Sequence, residues 1–343
     1  MKKILTLLLA LWMLTGCVAM AAENQLVVGS TTAMSGAFFT DLFGSNTADI
    51  DVRALLHGYN LMSWDHETGT YQINDSVVAG MAVSRDAQNN RVYTFDLYGD
   101  LKFSDGSAIT AKDYAFSILL TASPELAKLG GQSAAVGAIL GMDAYQSGKS
   151  SVLRGVRLLS DTQMSITISK AYEPYFYEMA LFDYSPYPIS VLAPGCKVVG
   201  TEKGVGIVNA GGTGDAIFTA DLLQKTILDA ATGYMSHPSV VSGPYTLTSY
   251  DAQRGTASFA INPYYKGNED GEKPTIETIV YRTVANDEAI DLLLSGEVDL
   301  LNKMVAADTI SKGIQSTADQ PFSVANYPRS GLSTVSYTHL RAH

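Results

Sequence analysis

The side chains that most often do chemistry are sparse in this chain. Its five histidines stand at positions 57, 66, 237, 339 and 343 of 343 residues. Only His339 and His343 are four apart, and they close the chain, so the pair reads as incidental. His66-Glu67 lacks the second histidine of a zinc hydrolase motif. The cluster Gly211-Gly212-Thr213-Gly214 lacks the Lys-Ser/Thr ending of a phosphate loop and reads as a flexible turn. No Gly-x-Ser-x-Gly elbow occurs. A serine triad stays open as a rival reading, because triads are set by geometry rather than by spacing. Of the two cysteines, Cys196 sits in the turn-like Pro194-Gly195-Cys196 and reads as a partly buried apolar residue. The residues therefore point away from catalysis, and no metal or cofactor is expected.

Cys17 has a more definite context. Lys2 and Lys3 precede the run Ile4 to Met13, apolar except for Thr6, which is the layout of an export signal and too short to span a bilayer. Leu14-Thr15-Gly16-Cys17 resembles the bacterial lipobox, whose cysteine receives a diacylglyceryl group before cleavage in front of it. Ala19-Met20-Ala21 offers an ordinary secretory cleavage site as the alternative. On the lipobox reading residues 1–16 are the signal, 17–23 a lipid-anchored spacer, and the location is the extracytoplasmic face of the cell membrane. Cys196 is then the one remaining thiol, so no disulfide framework can form.

Removing residues 1–16 from 343 leaves 327, enough for about two domains with their own cores. Loss of Lys2 and Lys3 moves the formal charge from −11 to −13. Such a surface repels phosphate backbones and anionic lipid heads, so nucleic acid is not an expected partner. Nineteen tyrosines supply amphipathic rings, most of which are expected on strand faces.

Periodicity places the elements. Gln25 to Gly29 reads as a buried strand, Ser30 to Asn46 as a loop of small residues, and Ile50 to Leu61 as a helix after the possible caps Thr47 and Asp49. Tyr93, Phe95 and Leu97 alternate along a half-buried strand. The Asp105-Gly106 turn then leads to a helix opened by Thr110 and Asp113, whose buried stripe is Tyr114, Ala115, Ile118 and Leu119. A hairpin over Val156 to Ile168 turns at Ser160-Asp161. Prolines 174, 186 and 188 mark the aromatic run that follows as a connection between domains, and Leu222, Leu223, Ile227 and Leu228 mark a helix. Two strands joined at Gln253 to Gly255 precede a β-α-β unit of Thr278 to Thr283, Asp287 to Leu294 capped by Gly296, and Val298 to Leu300.

Three stretches, "YTFDLYGDLKFSDGSAITAKDYAFSI", "SGPYTLTSYDAQRGTASFAINPYYKG" and "IVYRTVANDEAIDLLLSGEVDLL", together resemble extracellular solute-binding proteins of family 5. These are the oligopeptide-, dipeptide- and nickel-binding components of bacterial ABC importers. The resemblance spans about residues 25–333. It implies an α/β fold, a two-lobed class II periplasmic-binding-protein clamp with an extra subdomain in the first lobe. The first lobe would use 24–70 and 190–280, the extra subdomain 71–189, and the second lobe, incomplete here, 281–333. Residues 334–343 abandon the family pattern and read as a foreign tail.

The same resemblance implies a monomeric, non-enzymatic binding protein. It would capture an oligopeptide or dipeptide and deliver it to an ABC permease and its ATPase subunits, held to the membrane by its lipid. Ser45 and Asn46 fall in the cleft-lining loop, Phe182 and Asp183 where the aromatic run returns past the cleft, and Tyr281 on the crossing strand. Tyr281, Arg282 and Thr283 would form the hinge. Nickel or a nickel chelate is the alternative ligand within the family, and a surface hydrolase or an adhesin the alternative outside it.

Overall fold

The computed structural model describes residues 24–44, 46–65, 67–132, 137–319 and 322–325. The expected signal and spacer with Cys17, Ser45 and the tail from 334 lie outside the described residues. In chain order the strands are β1 (Gln25–Ser30), β2 (Met62–Asp65), β3 (Thr70–Ile73), β4 (Val78–Arg85), β5 (Arg91–Leu97), β6 (Val152–Leu153), β7 (Val156–Leu158), β8 (Gln163–Ile168), β9 (Cys196–Thr201), β10 (Gly204–Asn209), β11 (Tyr245–Asp251), β12 (Thr256–Ile261), β13 (Thr278–Thr283) and β14 (Leu300–Asn302). The helices are α1 (Thr47–Leu56), α2 (Ala111–Thr121), α3 (Pro124–Lys128), α4 (Met142–Gln146), α5 (Ile189–Leu192), α6 (Ala220–Thr226), α7 (Ala289–Leu294) and α8 (Ala307–Ser316).

A five-stranded sheet in the order β11-β12-β13-β1-β14 holds the first and the last strand of the described residues. β1 runs parallel to β13 on one side and to β14 on the other, with Val28 opposite both Tyr281 and Leu300. Its inner face buries Val28, Ile279, Phe259 and Tyr245 against Phe38 of the first loop and Val52 and Leu56 of α1. The antiparallel sheet β4-β5-β8-β7 and the small sheet β6-β10-β9 share a second, larger core that runs from Phe39 to Tyr234. Helix α2 packs against β7, β9 and β10 and is buried nearly all round. Phe116 and Leu120 are therefore inside along with the expected stripe of Tyr114, Ala115, Ile118 and Leu119. Cys196 is not in a turn: it opens β9 and is buried.

Residues 262–267 fasten the two bodies together. Tyr265 stacks on Tyr59 with ring centroids 5.1 Å apart, and the Lys266 ammonium lies 4.3 Å from the centre of the Tyr98 ring and 2.9 Å from Asp100. Ser104 N–H donates to the Val241 carbonyl at 2.8 Å beside this contact.

Helix α1 differs from its expected bounds at both ends. Asn46, rather than Thr47 or Asp49, is the cap: its Oδ1 accepts from the Ala48 and Asp49 backbone N–H groups, and the Asp49 carboxylate accepts in turn from the Asn46 backbone N–H. The helix stops at Leu56, where His57 turns to extended backbone, and Gly58 beyond it lies against Gly243, with a Cβ there in tight contact at 3.2 Å from the Gly243 Cα. The freed Leu56 carbonyl accepts from Gly243 N–H, and Leu61 N–H donates to Tyr184, so the chain pairs as an extended segment instead.

The last strand is also displaced, from Val298–Leu300 to Leu300–Asn302. Val298 is buried against Val284 and Ala289, and Asp299 accepts the Val27 amide at 2.8 Å, so the ladder with β1 starts two residues later than expected, at Leu300.

Candidate functional site

Parallel strands deliver their carboxyl ends to one edge of a sheet, which is where α/β proteins meet ligands. Here β1, β13 and β14 end side by side at Ser30, Thr283 and Asn302, and the loop leading to α1 starts from the same edge. Asp51, one turn into α1, is the centre of a polar group at these ends. Its Oδ2 accepts from the Tyr281 phenol and from Asn302 Nδ2, each at 2.8 Å, and its other oxygen pairs with the Lys303 ammonium. Burial pushes the Tyr281 pKa up to about 12. The Asp51 carboxylate adds to this, while hydrogen bonds from Asn302 and Ser30 oppose it. Tyr281 is thus a neutral donor at any physiological pH. Lys303 reaches solvent, and its backbone adopts φ 55°, turning the chain away as β14 ends.

The first loop is fastened along one stripe of α1. Asp49 accepts from Ser35 N and Oγ at 2.9 and 2.7 Å, Arg53 Nη1 donates to the Ala37 carbonyl at 2.7 Å, and His57 Nε2 lies 2.9 Å from the Phe38 carbonyl. These three residues recur at four-residue spacing, so one helix face holds one extended loop. Both polar atoms of the Asn46 side chain are engaged within this arrangement, since Nδ2 also donates to the Ala33 carbonyl at 2.8 Å.

Asp183 belongs to a different group. Its Oδ1 accepts from Asn60 Nδ2 at 2.7 Å, just beyond the end of α1. Asp183 is exposed, yet the neighbours crowding it raise its pKa, with the Asn60 bond opposing. No hydrogen bond joins it to the Tyr281 group among the described residues. Phe182 is fully buried, with its ring centroid 4.6 Å from Tyr93 and 5.4 Å from Phe95. Its side chain is therefore part of the core, and it serves to seat Asp183.

Tyr281, Arg282 and Thr283 lie within a strand hydrogen-bonded along both edges, to β12 and to β1. The chain then returns to the same sheet at β14. A backbone held on two sides resists the φ/ψ change a hinge requires, so these residues form the middle of a sheet rather than its boundary. Asp51, Asn302 and Lys303 were not singled out from the sequence. The available signal was Asn302-Lys303 directly after Leu300-Leu301, at the end of a strand that follows a crossover.

Against known proteins, a model of the bacterial extracellular solute-binding proteins, family 5, middle region, matches residues 76–339. The oligopeptide-binding protein OppA of Lactococcus lactis subsp. lactis strain IL1403 is 27% identical over 229 residues, covering 67% of this chain and 32% of that protein. Lactococcal OppA, solved with an endogenous peptide in the closed conformation, aligns with a TM-score of 0.61 at 19% identity, covering 87% of this chain and 48% of that one. Listeria monocytogenes OppA bound to peptide aligns with a TM-score of 0.59, also at 19%, covering 88% and 49%. The chain thus spans about a third of the length of that curated relative and about half of those solved structures. At these identities the structural likeness establishes a common fold.

Proposed function

The chain belongs to the bacterial extracellular solute-binding proteins of family 5 and has the α/β fold of two-lobed periplasmic binding proteins, and from this premise we propose that it is a peptide-capturing part of an ABC importer. The observation that carries the reading is the polar edge at the ends of β1, β13 and β14. It offers a neutral phenol, an amide, a carboxylate and an ammonium together, which suits the alternating donors and acceptors of a peptide main chain. Asn302 and Lys303 form the contact surface in this proposal, and the buried Tyr281 holds the Asp51 carboxylate behind them. Asn46 and the neighbouring Ser45 shape the loop beside it, and Asp183 stands apart as a site for a cationic group.

Capture by the first lobe is followed, in this reading, by closure of a second lobe and docking on a membrane permease driven by ATPase subunits. No step of it is enzymatic. Acylation of Cys17 would hold the protein on the extracytoplasmic face of the membrane.

The test is a thermal-shift and calorimetric screen of the chain against defined peptides of two to eight residues. A peptide at one hundred times its dissociation constant should stabilise the protein by about 2.7 kcal/mol. Absence of any stabilisation at millimolar peptide, or release of cleaved peptide, overturns the reading. Anchoring is tested by mass spectrometry of the mature N-terminus, with C17A as the comparison.

A further inference from the structure

A cavity of about 400 Å³ opens where the β6–β7 corner meets the β9–β10 turn, and it contains none of the residues of the Tyr281 group. It is lined by Ser150, Val152, Arg154, Arg157, Glu202 and Lys203. The backbone enforces this meeting. β10 pairs with β6, Val205 opposite Leu153, and Gly204 at φ 144° presses the turn onto the corner. A Cβ at Gly204 would overlap the Leu153 carbonyl and stand 2.9 Å from the Arg154 Cα, so glycine alone lets Glu202 and Lys203 come beside Arg154. Arg157 Nη1 donates to the Thr201 carbonyl at 3.0 Å, which fixes that guanidinium against the turn and leaves its other donors free.

Among the described residues none of Arg154, Arg157, Lys203 and Glu202 forms an ion pair. Three cations and one carboxylate line this cavity, and the Asp86 carboxylate also feels Arg154, in a chain with 34 acidic and 23 basic residues. Crowding like charges is unfavourable unless an anion accompanies them. Two guanidinium forks and one ammonium offer more donors than a single carboxylate can accept. A phosphoryl group presents three acceptor oxygens and about −1.5 to −2 charge near neutral pH, which supplies these donors with acceptors and a counter-charge.

We propose that this cavity binds a phosphate monoester or inorganic phosphate through Arg154, Arg157 and Lys203. Mobile ions restrict the attraction to roughly a Debye length, about 8 Å at physiological salt, so binding weakens as salt rises.

Calorimetric titration of the full chain with inorganic phosphate, at low and at raised sodium chloride, tests the site. Saturable binding is expected, weakened at least tenfold in K203E and lost in the R154A/R157A double variant. Circular dichroism confirms that each variant is folded; Lys203 is exposed, so K203E decides the matter if the double variant does not fold. Cosedimentation with vesicles containing phosphatidic acid, against phosphatidylcholine alone, separates the sources. Variant-sensitive binding to vesicles assigns the site to a lipid headgroup, and variant-sensitive binding to free phosphate alone assigns it to a small phosphate. Absence of saturable binding to either, or equal binding by wild type and K203E, overturns the proposal.

Discussion

The Tyr281 phenol donates a 2.8 Å hydrogen bond to Asp51 Oδ2, tying β13 to α1 across 230 residues of sequence. The same carboxylate accepts from Asn302 and pairs with Lys303, so one side chain ties the ends of two strands to a helix. Removing it leaves a phenol, an amide and an ammonium without their acceptor. D51A should therefore destabilise the chain by about 2 kcal/mol, and Y281F, which deletes one donor, by about 1 kcal/mol. Urea unfolding midpoints of the two variants check the order.

Alkaline stability follows from buried phenols. Burial raises the pKa of Tyr184, Tyr187, Tyr265 and Tyr281 to about 12, against about 10 in the unfolded chain. In that window the folded state holds protons that the unfolded state has released. Their stabilisation is complete below pH 10 and is lost as pH rises from 10 towards 12. Urea midpoints between pH 8 and 11.5 should fall steeply above 10, with a smaller fall in Y281F.

His57 acts at the opposite end of the scale. Burial is the chief cause that lowers its pKa to about 4, with Arg53 assisting and the Phe38 carbonyl opposing. The unfolded chain, with a histidine pKa near 6.5, binds the proton more readily, so stability is complete above pH 6.5 and lost as pH falls towards 4. The loss amounts to about 3 kcal/mol at about 1.4 kcal/mol for each unit. H57Q should flatten the stability profile between pH 6.5 and 4.5, measured by urea midpoints across that range.

Gly243 meets the end of α1 at backbone distance. A Cβ at this position would lie 2.5 Å from both the Leu55 carbonyl oxygen and the Leu56 carbonyl carbon, so backbone must move to admit it. G243A should lower stability by about 3 kcal/mol. G211A, at a position with open space, should leave the thermal midpoint nearly unchanged.

Lys266 joins the two sheet bodies through the Tyr98 ring and Asp100. Both partners are partly exposed, so K266A should destabilise by only about 1 kcal/mol. Hydrogen exchange should nonetheless quicken over residues 98–106, because the contact holds that turn against the other body.

Local signals were legible wherever a residue's role depends on near neighbours. Thr110 and Asp113 form the expected capping box, and the Thr278–Thr283 strand and the helix ending before Gly296 stand where the pattern placed them. Asn46, expected in the cleft-lining loop, also caps α1, a role that its spacing to Asp49 records locally. Phe182, expected at the cleft, is core, since the aromatic run that contains it folds back on β5.

By itself the sequence determined the family and, through that resemblance, the fold class, together with those elements whose alternation, caps and turn residues act within a few positions of one another; β2, β3, β4, β9 and β10 carried no such signal. Only the tertiary structure decided that β14 returns to pair with β1, and that Asp51, Tyr281, Asn302 and Lys303 meet. Which strand edges join is set by hydrogen bonds and burial between distant segments, and no short-range pattern records that choice. The loop on α1 is an intermediate case. The spacing of Asp49, Arg53 and His57 is visible in the sequence, but the carbonyls and serine they hold are chosen by the path the loop takes across the helix.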